Sequence, residues 1–364
     1  MPDFLEHDKL KKILQSSSVS RLPMEKLIAL FREEDALNEM LPDRKWVQDP
    51  RDKSVTLFNP SRSKRPHEHK DRVKTVKNNS CPICEGHTTD VIDVAELSEG
   101  FTFINKNLYP IVYPFASDSN RDEQTAFGFH LLQWTSSYHN RDWHNMPLSD
   151  RIIVLQRLAA LEEMFLYGTK TGITGNEQWN NDKGISRFVS IIKNYGRSAG
   201  CSLIHGHQQI AFSNVMPGRF QNNLSFYQRK QRSFSAYMFE QTPVDLVLKD
   251  YGQAVLAVPY FMKRPYDMIL MIKETKKQYL CELSHSEIES VAEGLCDTMR
   301  LYRNILPKIG RDVAFNWVLH NGPGVGLYFE FLPNTQEMGG FEKLGLWVCQ
   351  SNPEMAAADL REVL

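Results

Sequence analysis

Apolar residues fall at helical spacing over two long stretches of this chain. Between Arg151 and Tyr167, Leu155, Leu158, Leu161 and Phe165 share one face, behind the opening Leu148-Ser149-Asp150. After Leu283-Ser284-His285, the residues Ile288, Val291, Leu295, Met299 and Tyr302 do the same. Short apolar or alternating runs flank each helix. Val55 with Leu57, Phe101 to Ile104, and Phe127 to Trp134 precede the first; Phe188 to Lys193 and a segment centred on His205 to Ile210 follow it. Around the second helix stand Val255 to Val258, Met268 to Ile272, Ala314 to Leu319 and Leu327 to Leu332. Leu-Ser before a helix is also a common N-cap, so the repeat rests on the order of elements. That order predicts an α+β chain of two related domains, each an antiparallel sheet with a long helix. Residues 1–45, with Pro23 fit for a first helical turn and Leu27, Leu30, Phe31 and Leu37 at helical spacing, predict a helical extension. The polar text RFQNNLSFYQRKQRS, within residues 215–245, predicts the boundary between domains 46–220 and 221–364.

Composition narrows the chemistry. The 364 residues carry 43 Lys and Arg against 44 Asp and Glu, a net charge of −1, which argues against a protein built around bulk attraction to nucleic acid or anionic membrane. No apolar run reaches the roughly 18 residues of a membrane span. The opening MPDFLEHDKLKK lacks a signal-peptide core, so a cytoplasmic protein is expected. Six Cys in so long a chain are no disulfide framework.

The segment from Asn194 to Ile210 is the most informative. On a strand, His205, His207 and Gln209 would line one face, with Gly206 permitting close approach. An isolated H-x-H is more simply the polar side of an edge strand. Here, however, Gly196 to Ser202 precedes it, rich in Gly, Ser and Ala and suited to presenting backbone amides to phosphate. Cys81 and Cys84 have the spacing of half a tetrahedral zinc site, and a redox pair is the alternative. With no second C-x-x-C, the completing candidates are His139 or His144, and His205. His207 is then available as a nucleophile, its imidazole able to attack a phosphoanhydride. The basic loop from Ser61 to Asn79 has seven Lys or Arg and two acids, read most simply as a solvated loop. Within it Arg62 and Arg65 offer guanidinium forks suited to phosphate.

Taken in order, these motifs resemble the galactose-1-phosphate uridylyltransferase family of the histidine-triad superfamily. The matching stretches are Asp49-Pro50 through Ser61-Arg62-Ser63-Lys64-Arg65-Pro66, Cys81-Pro-Ile-Cys84, Phe103-Ile-Asn105, Asn194, Gly200-Cys201-Ser202 and His205-Gly-His207-Gln-Gln209. The likeness runs from about residue 46 to the end. It implies two histidine-triad-like domains, the first catalytic. It implies His207 as the nucleotidylated nucleophile and Gln209 as a phosphate donor. Cys81, Cys84, His139 and His205 become ligands of a structural zinc, with His139 preferred to His144 because it follows Ser136-Ser137-Tyr138. Asn105, Asn194 and Ser202 would face the nucleotide, and Arg62 and Arg65 its phosphates. Of a second metal site found in some members, His320 is retained, but Tyr328-Phe329-Glu330 replaces a His-x-His, so that metal is expected to be absent. Asn107-Leu-Tyr-Pro110, Phe127-Gly-Phe-His130 and Gly339-Gly-Phe-Glu342 look closer to the ADP-glucose phosphorylase-like branch.

The activity this resemblance implies is ping-pong transfer of a nucleoside monophosphate between a nucleotide-sugar and a sugar 1-phosphate, of the UDP-glucose/hexose-1-phosphate type in galactose metabolism. A phosphorylase using inorganic phosphate is the alternative, and a zinc-stapled nucleic-acid-binding module is disfavoured by the charge balance. The resemblance also implies a homodimer in which the turn from Gly339 to Gly345, with Lys343, reaches the partner's site.

Overall fold

The computed structural model describes residues 3–15, 18–34, 37, 39–65, 81–114, 125–167 and 188–364. The basic loop beyond Arg65 and the Gly-, Asn- and Asp-rich loop at 168–187 lie outside the described residues. The chain divides into two compact units: Met1–Arg141, Ile153–Ile191 and His205–Asn222 form the first, and Asp142–Ile152, Ile192–Ile204 and Asn223–Leu364 the second.

In the first unit, helix α1 (Met24–Arg32) buries Leu27, Ile28, Leu30 and Phe31. The described chain before it is turns and extended segments rather than further α-helix. Its apolar residues Leu5, Val19 and Leu22 are buried outside any α-helix. Its backbone pairs with its neighbours: Ile13 bridges Val91, Leu14 donates to the Val91 carbonyl, and Val91 donates to that of Lys12. The extension is thus a strap across the unit, because the outer strand has backbone groups to satisfy. A hairpin of β1 (Trp46–Gln48) and β2 (Val55–Leu57) follows.

Strands β3 (Val91–Glu96), β4 (Phe101–Lys106) and β5 (Gly128–Trp134) precede helix α2, which starts at Leu148, a turn earlier than expected, and ends at Tyr167. Strands β6 (Phe188–Tyr195) and β7 (His207–Ser213) come after it. Within the unit β3, β4, β5 and β7 pair antiparallel in that order. Alternation gives this sheet two faces. Phe129 and Phe212 stack on Phe165 of α2, with ring centroids 5.9 and 4.5 Å away. The other face carries His130, Trp134, His207 and Gln209.

The stretch read as the domain boundary is helical: α3 (Gly218–Lys230) and α4 (Phe234–Gln241) fill it. Ser233 caps α4 by accepting from the Ala236 amide, and Phe226 packs edge-on against Phe234 and Tyr237. Polar text hid these aromatic anchors. In the second unit β8 (Val247–Asp250), β9 (Ala254–Ala257) and β10 (Met268–Ile272) precede the long helix α5 (His285–Lys308). Strands β11 (Phe315–His320) and β12 (Tyr328–Pro333) follow, and the antiparallel order is β11, β12, β10, β9, β8. Ser284 and Glu287 close a capping box at the start of α5. Gly294 lets that helix sit on Leu270, where a Cβ would lie 2.7 Å from a leucine methyl. Helix α6 (Pro353–Arg361) ends the chain, capped by Asn352. Among the described residues no helix is long and apolar enough to cross a membrane.

Candidate active site and metal centre

Four sulfur and nitrogen ligands converge in the first unit. One ligand atom from each of Cys81, Cys84, His139 and His205 lies within 4.8 Å of all the others. The His205 Nδ1 is 3.7 Å from Cys81 Sγ and 3.6 Å from Cys84 Sγ, and His139 Nδ1 is 3.8 Å from Cys84 Sγ. A tetrahedral zinc, bonded to sulfur at about 2.3 Å and nitrogen at about 2.1 Å, would set such atoms about 3.6 Å apart. The donor set therefore fits a metal. The ring tautomers agree, since His205 Nε2 lies 2.8 Å from the Ser136 carbonyl, which can only accept. The proton is thus on Nε2 and the lone pair of Nδ1 faces the thiols. Burial first and then Cys81 push the Cys84 thiol up to about 12. His144 belongs to the second unit, where its carbonyl accepts from Arg300 Nε at 2.8 Å.

His205 is not on the strand. β7 begins at His207, and His205 occupies the turn before it. The expectation of three residues on one strand face therefore holds for His207 and Gln209 alone. The turn has its own use: the His205 carbonyl lies 2.8 Å from His207 Nδ1. A carbonyl can only accept, so Nδ1 holds the proton and the lone pair of His207 is on Nε2. That is the tautomer a nucleophilic imidazole requires. Directly opposite His207 stands Trp134, buried, with its ring centroid 4.8 Å from that of His207 and 5.4 Å from that of His205. The Trp134 indole donates to Asn105 Oδ1 at 3.0 Å, and Asn105 Nδ2 donates to Thr89 Oγ1 at 3.0 Å. In this structure the Asn105 amide holds the tryptophan beneath the two histidines.

Gln209 shares the face of His207, and its Oε1 lies 3.2 Å from His130 Nε2. His130 is buried, and burial first, then the charges of Arg62 and Arg65, push its pKa down to about 3. Arg62 is itself desolvated, its pKa lowered to about 10, and donates to the Tyr109 carbonyl. Arg62 and Arg65 thus act on the neighbour of Gln209. The motif reading gave His130 only a place in a branch marker and Trp134 none, and neither a role in the site; a histidine and a tryptophan four apart in the strand were the available signal.

Asn194 and Ser202 belong to the second unit. Asn194 Oδ1 accepts from Asn316 Nδ2 at 2.8 Å, and Ser202 is buried. The loop before His205 departs from the expected phosphate cradle. The amides of Ala199, Gly200 and Cys201 bond to carbonyls of Gly196 and Arg197, closing a 3-10 turn on itself. Gly196, at φ 81°, is required there, since a Cβ would lie 2.4 Å from the Val313 carbonyl oxygen. Also in this unit, His320 Nδ1 accepts from Asn223 Nδ2 at 3.0 Å, while its Nε2 meets Glu330 Oε2 at 3.0 Å.

No family model matches the chain. It is 21% identical over 358 residues to ADP-glucose phosphorylase of Arabidopsis thaliana, covering 90% of this chain and 95% of that one. A solved uridylyltransferase superposes with a TM-score of 0.66 at 19% identity, over 88% of this chain and 98% of its own. The structure of the Arabidopsis thaliana ADP-glucose phosphorylase with bound ADP-glucose gives 0.63 at 18% identity, over 89% and 99%. The fold is that of the uridylyltransferases. Within that class the chain is similar to the galactose-1-phosphate uridylyltransferase family, with likeness to its ADP-glucose phosphorylase-like branch.

Proposed function

We propose that the chain is a nucleotidylyltransferase working through a covalent nucleotidyl-histidine at His207. The observation that carries this is the tautomer of His207: Nδ1–H is held by the His205 carbonyl, so Nε2 presents its lone pair on the face that also holds Gln209. Nε2 would attack the α-phosphorus of a nucleotide-sugar; the bond from that phosphorus to the bridging oxygen breaks, and a sugar 1-phosphate leaves with its electron pair. An oxygen of the acceptor then attacks the same phosphorus and the N–P bond breaks, freeing His207. Gln209, Arg62 and Arg65 would hold the phosphate oxygens as charge builds on them. Cys81, Cys84, His139 and His205 would hold zinc, whose closed shell would supply rigidity rather than an activated water.

The acceptor is a sugar 1-phosphate in this reading. The second reading, inorganic phosphate, is favoured by the likeness to ADP-glucose phosphorylase along nearly the whole chain. We also read the chain as a homodimer, because Phe341, Leu344 and Leu346 stand 61, 83 and 61% exposed in one short stretch. Sedimentation at about the 42.1 kDa mass of a single chain would reject the dimer.

The test is covalent labelling. Incubated with UDP-glucose or ADP-glucose labelled in the α-phosphate, the wild type should take up about one label per chain and His207→Gly none. Chasing with glucose 1-phosphate or with inorganic phosphate then separates the two acceptors. A wild type unlabelled by a panel of nucleotide-sugars and dinucleotides would overturn the enzymatic reading and leave the binding-module alternative.

A further inference from the structure

We infer that His130 is a positioning residue that sets which end of the Gln209 amide faces the reacting phosphate. This rests on the proposed chemistry at His207. A glutamine side chain has a donating and an accepting end of nearly the same shape, and only the NH2 end can steady a phosphate oxygen. Something must choose between them.

The choice is made two hydrogen bonds away. The Ile111 backbone N–H lies 3.1 Å from His130 Nδ1, and a backbone N–H only donates. Nδ1 therefore carries a lone pair, and in the neutral ring the proton sits on Nε2. That nitrogen lies 3.2 Å from Gln209 Oε1 and 3.3 Å from Asn107 Nδ2. The second contact sets donor beside donor, and Asn107 cannot turn over without giving up the Tyr109 amide held by its Oδ1 at 2.9 Å. The Nε2–H bond thus goes to Gln209, fixing its oxygen inward and sending its NH2 the other way. Its Nε2 meets no acceptor among the described residues. His207 stands two residues along the same face of β7, about 7 Å away along the strand.

The surroundings keep this arrangement constant. His130 stays neutral because it is buried and because Arg62 and Arg65 repel a second proton, so the donor toward Gln209 is present throughout the neutral range. A carboxylate at 130 would do the reverse, drawing the NH2 inward and turning the amide oxygen toward the phosphate. A histidine pinned by a backbone amide is a one-way device.

The experiment measures the single-turnover rate of labelling of the full chain by α-labelled UDP-glucose and ADP-glucose, whichever labels the wild type. His130→Phe keeps the ring without its hydrogen bonds and should label about 10- to 100-fold more slowly at saturating substrate. The half-saturating concentration should move far less. His130→Gln, whose Nε2 can stand where the imidazole Nε2 stood, should restore most of the rate. His130→Asn, which can still accept from Ile111 but falls short of Gln209, should not. Gln209→Ala should match His130→Phe, and the double variant should be no slower than Gln209→Ala alone. Losses that multiply in the double variant, or a His130→Phe at the wild-type rate, would overturn the inference. Should the Phe variant fail to fold, equal rates for the Gln and Asn variants would overturn it instead. An unlabelled wild type would overturn both this and the reading of His207.

Discussion

His207 in the first unit and His320 in the second make an instructive pair. Each lies on an antiparallel strand of a unit with one long helix, and each ring packs on an aromatic neighbour, Trp134 for one and Tyr328 for the other. Their hydrogen bonds differ. His207 gives its Nδ1 proton to a backbone carbonyl, which sets the lone pair on Nε2. His320 has both nitrogens tied: Asn223 donates to Nδ1, and Nε2–H donates to Glu330. Tyr328 completes the arrangement by donating to Asn223 Oδ1 at 3.1 Å. The same side chain thus keeps its lone pair on Nε2 in one unit, as the proposed attack needs, and on Nδ1 in the other. Reactivity follows from which partner meets which nitrogen.

The comparison can be pressed hardest at the candidate metal ligands Cys81, Cys84, His139 and His205, a cluster that only the first unit has among the described residues. Cys84→Ser should cost on the order of 4 kcal/mol and lower the bound metal well below one per chain, read by denaturant unfolding and metal analysis. A variant as stable as the wild type would show that hydrogen bonds alone hold this site, as they do His320. The next effect is on pH. His130 titrates near 6.5 when unfolded and at about 3 when folded, so between these values the unfolded chain binds the extra proton. Stability should fall as pH falls through that window, by on the order of 5 kcal/mol in all, and level off below it. Unfolding titrations of His130→Gln should show a flatter slope. His144 in the second unit is also lowered, to about 4, chiefly by its partial burial, and its replacement should flatten the slope less. The smallest effect belongs to Glu330→Gln, which keeps an acceptor for His320. It should lose about 1 kcal/mol by thermal unfolding and label at the wild-type rate. A labelling defect there would break the division of roles.

Long periodic elements were legible in the sequence, because α2 and α5 bury a stripe that repeats with the helix. The paired cysteines were legible by spacing, and the likeness to a fold by the order of motifs. Other features depended on long-range partners. β8, two apolar residues followed by Lys249 and Asp250, had too few apolar positions to stand out. The helices at 218–241 were not read from the sequence, because aromatic pairs rather than a continuous stripe hold them. His205 sits a residue short of its strand because its ring turns toward Cys81 and Cys84, a pull exerted by residues more than 120 positions away. His130 was invisible as a functional residue, since its part depends on the Ile111 amide and on Gln209, brought together only by the sheet.

The strap formed by residues 3–15 gives the candidate metal centre a weak point unrelated to its ligands. Asp3 accepts from the His139 amide at 2.8 Å, Leu5 donates to the Ser137 carbonyl, and Phe4 stacks on Tyr138. The first residues thus hold the backbone of the loop that carries a ligand. Such a short run of contacts opens locally with far less free energy than global unfolding demands. Each opening would loosen His139 while the sheet stays intact. If zinc is held there, a chelator should remove it at a rate set by how often the contacts of Asp3, Phe4 and Leu5 open.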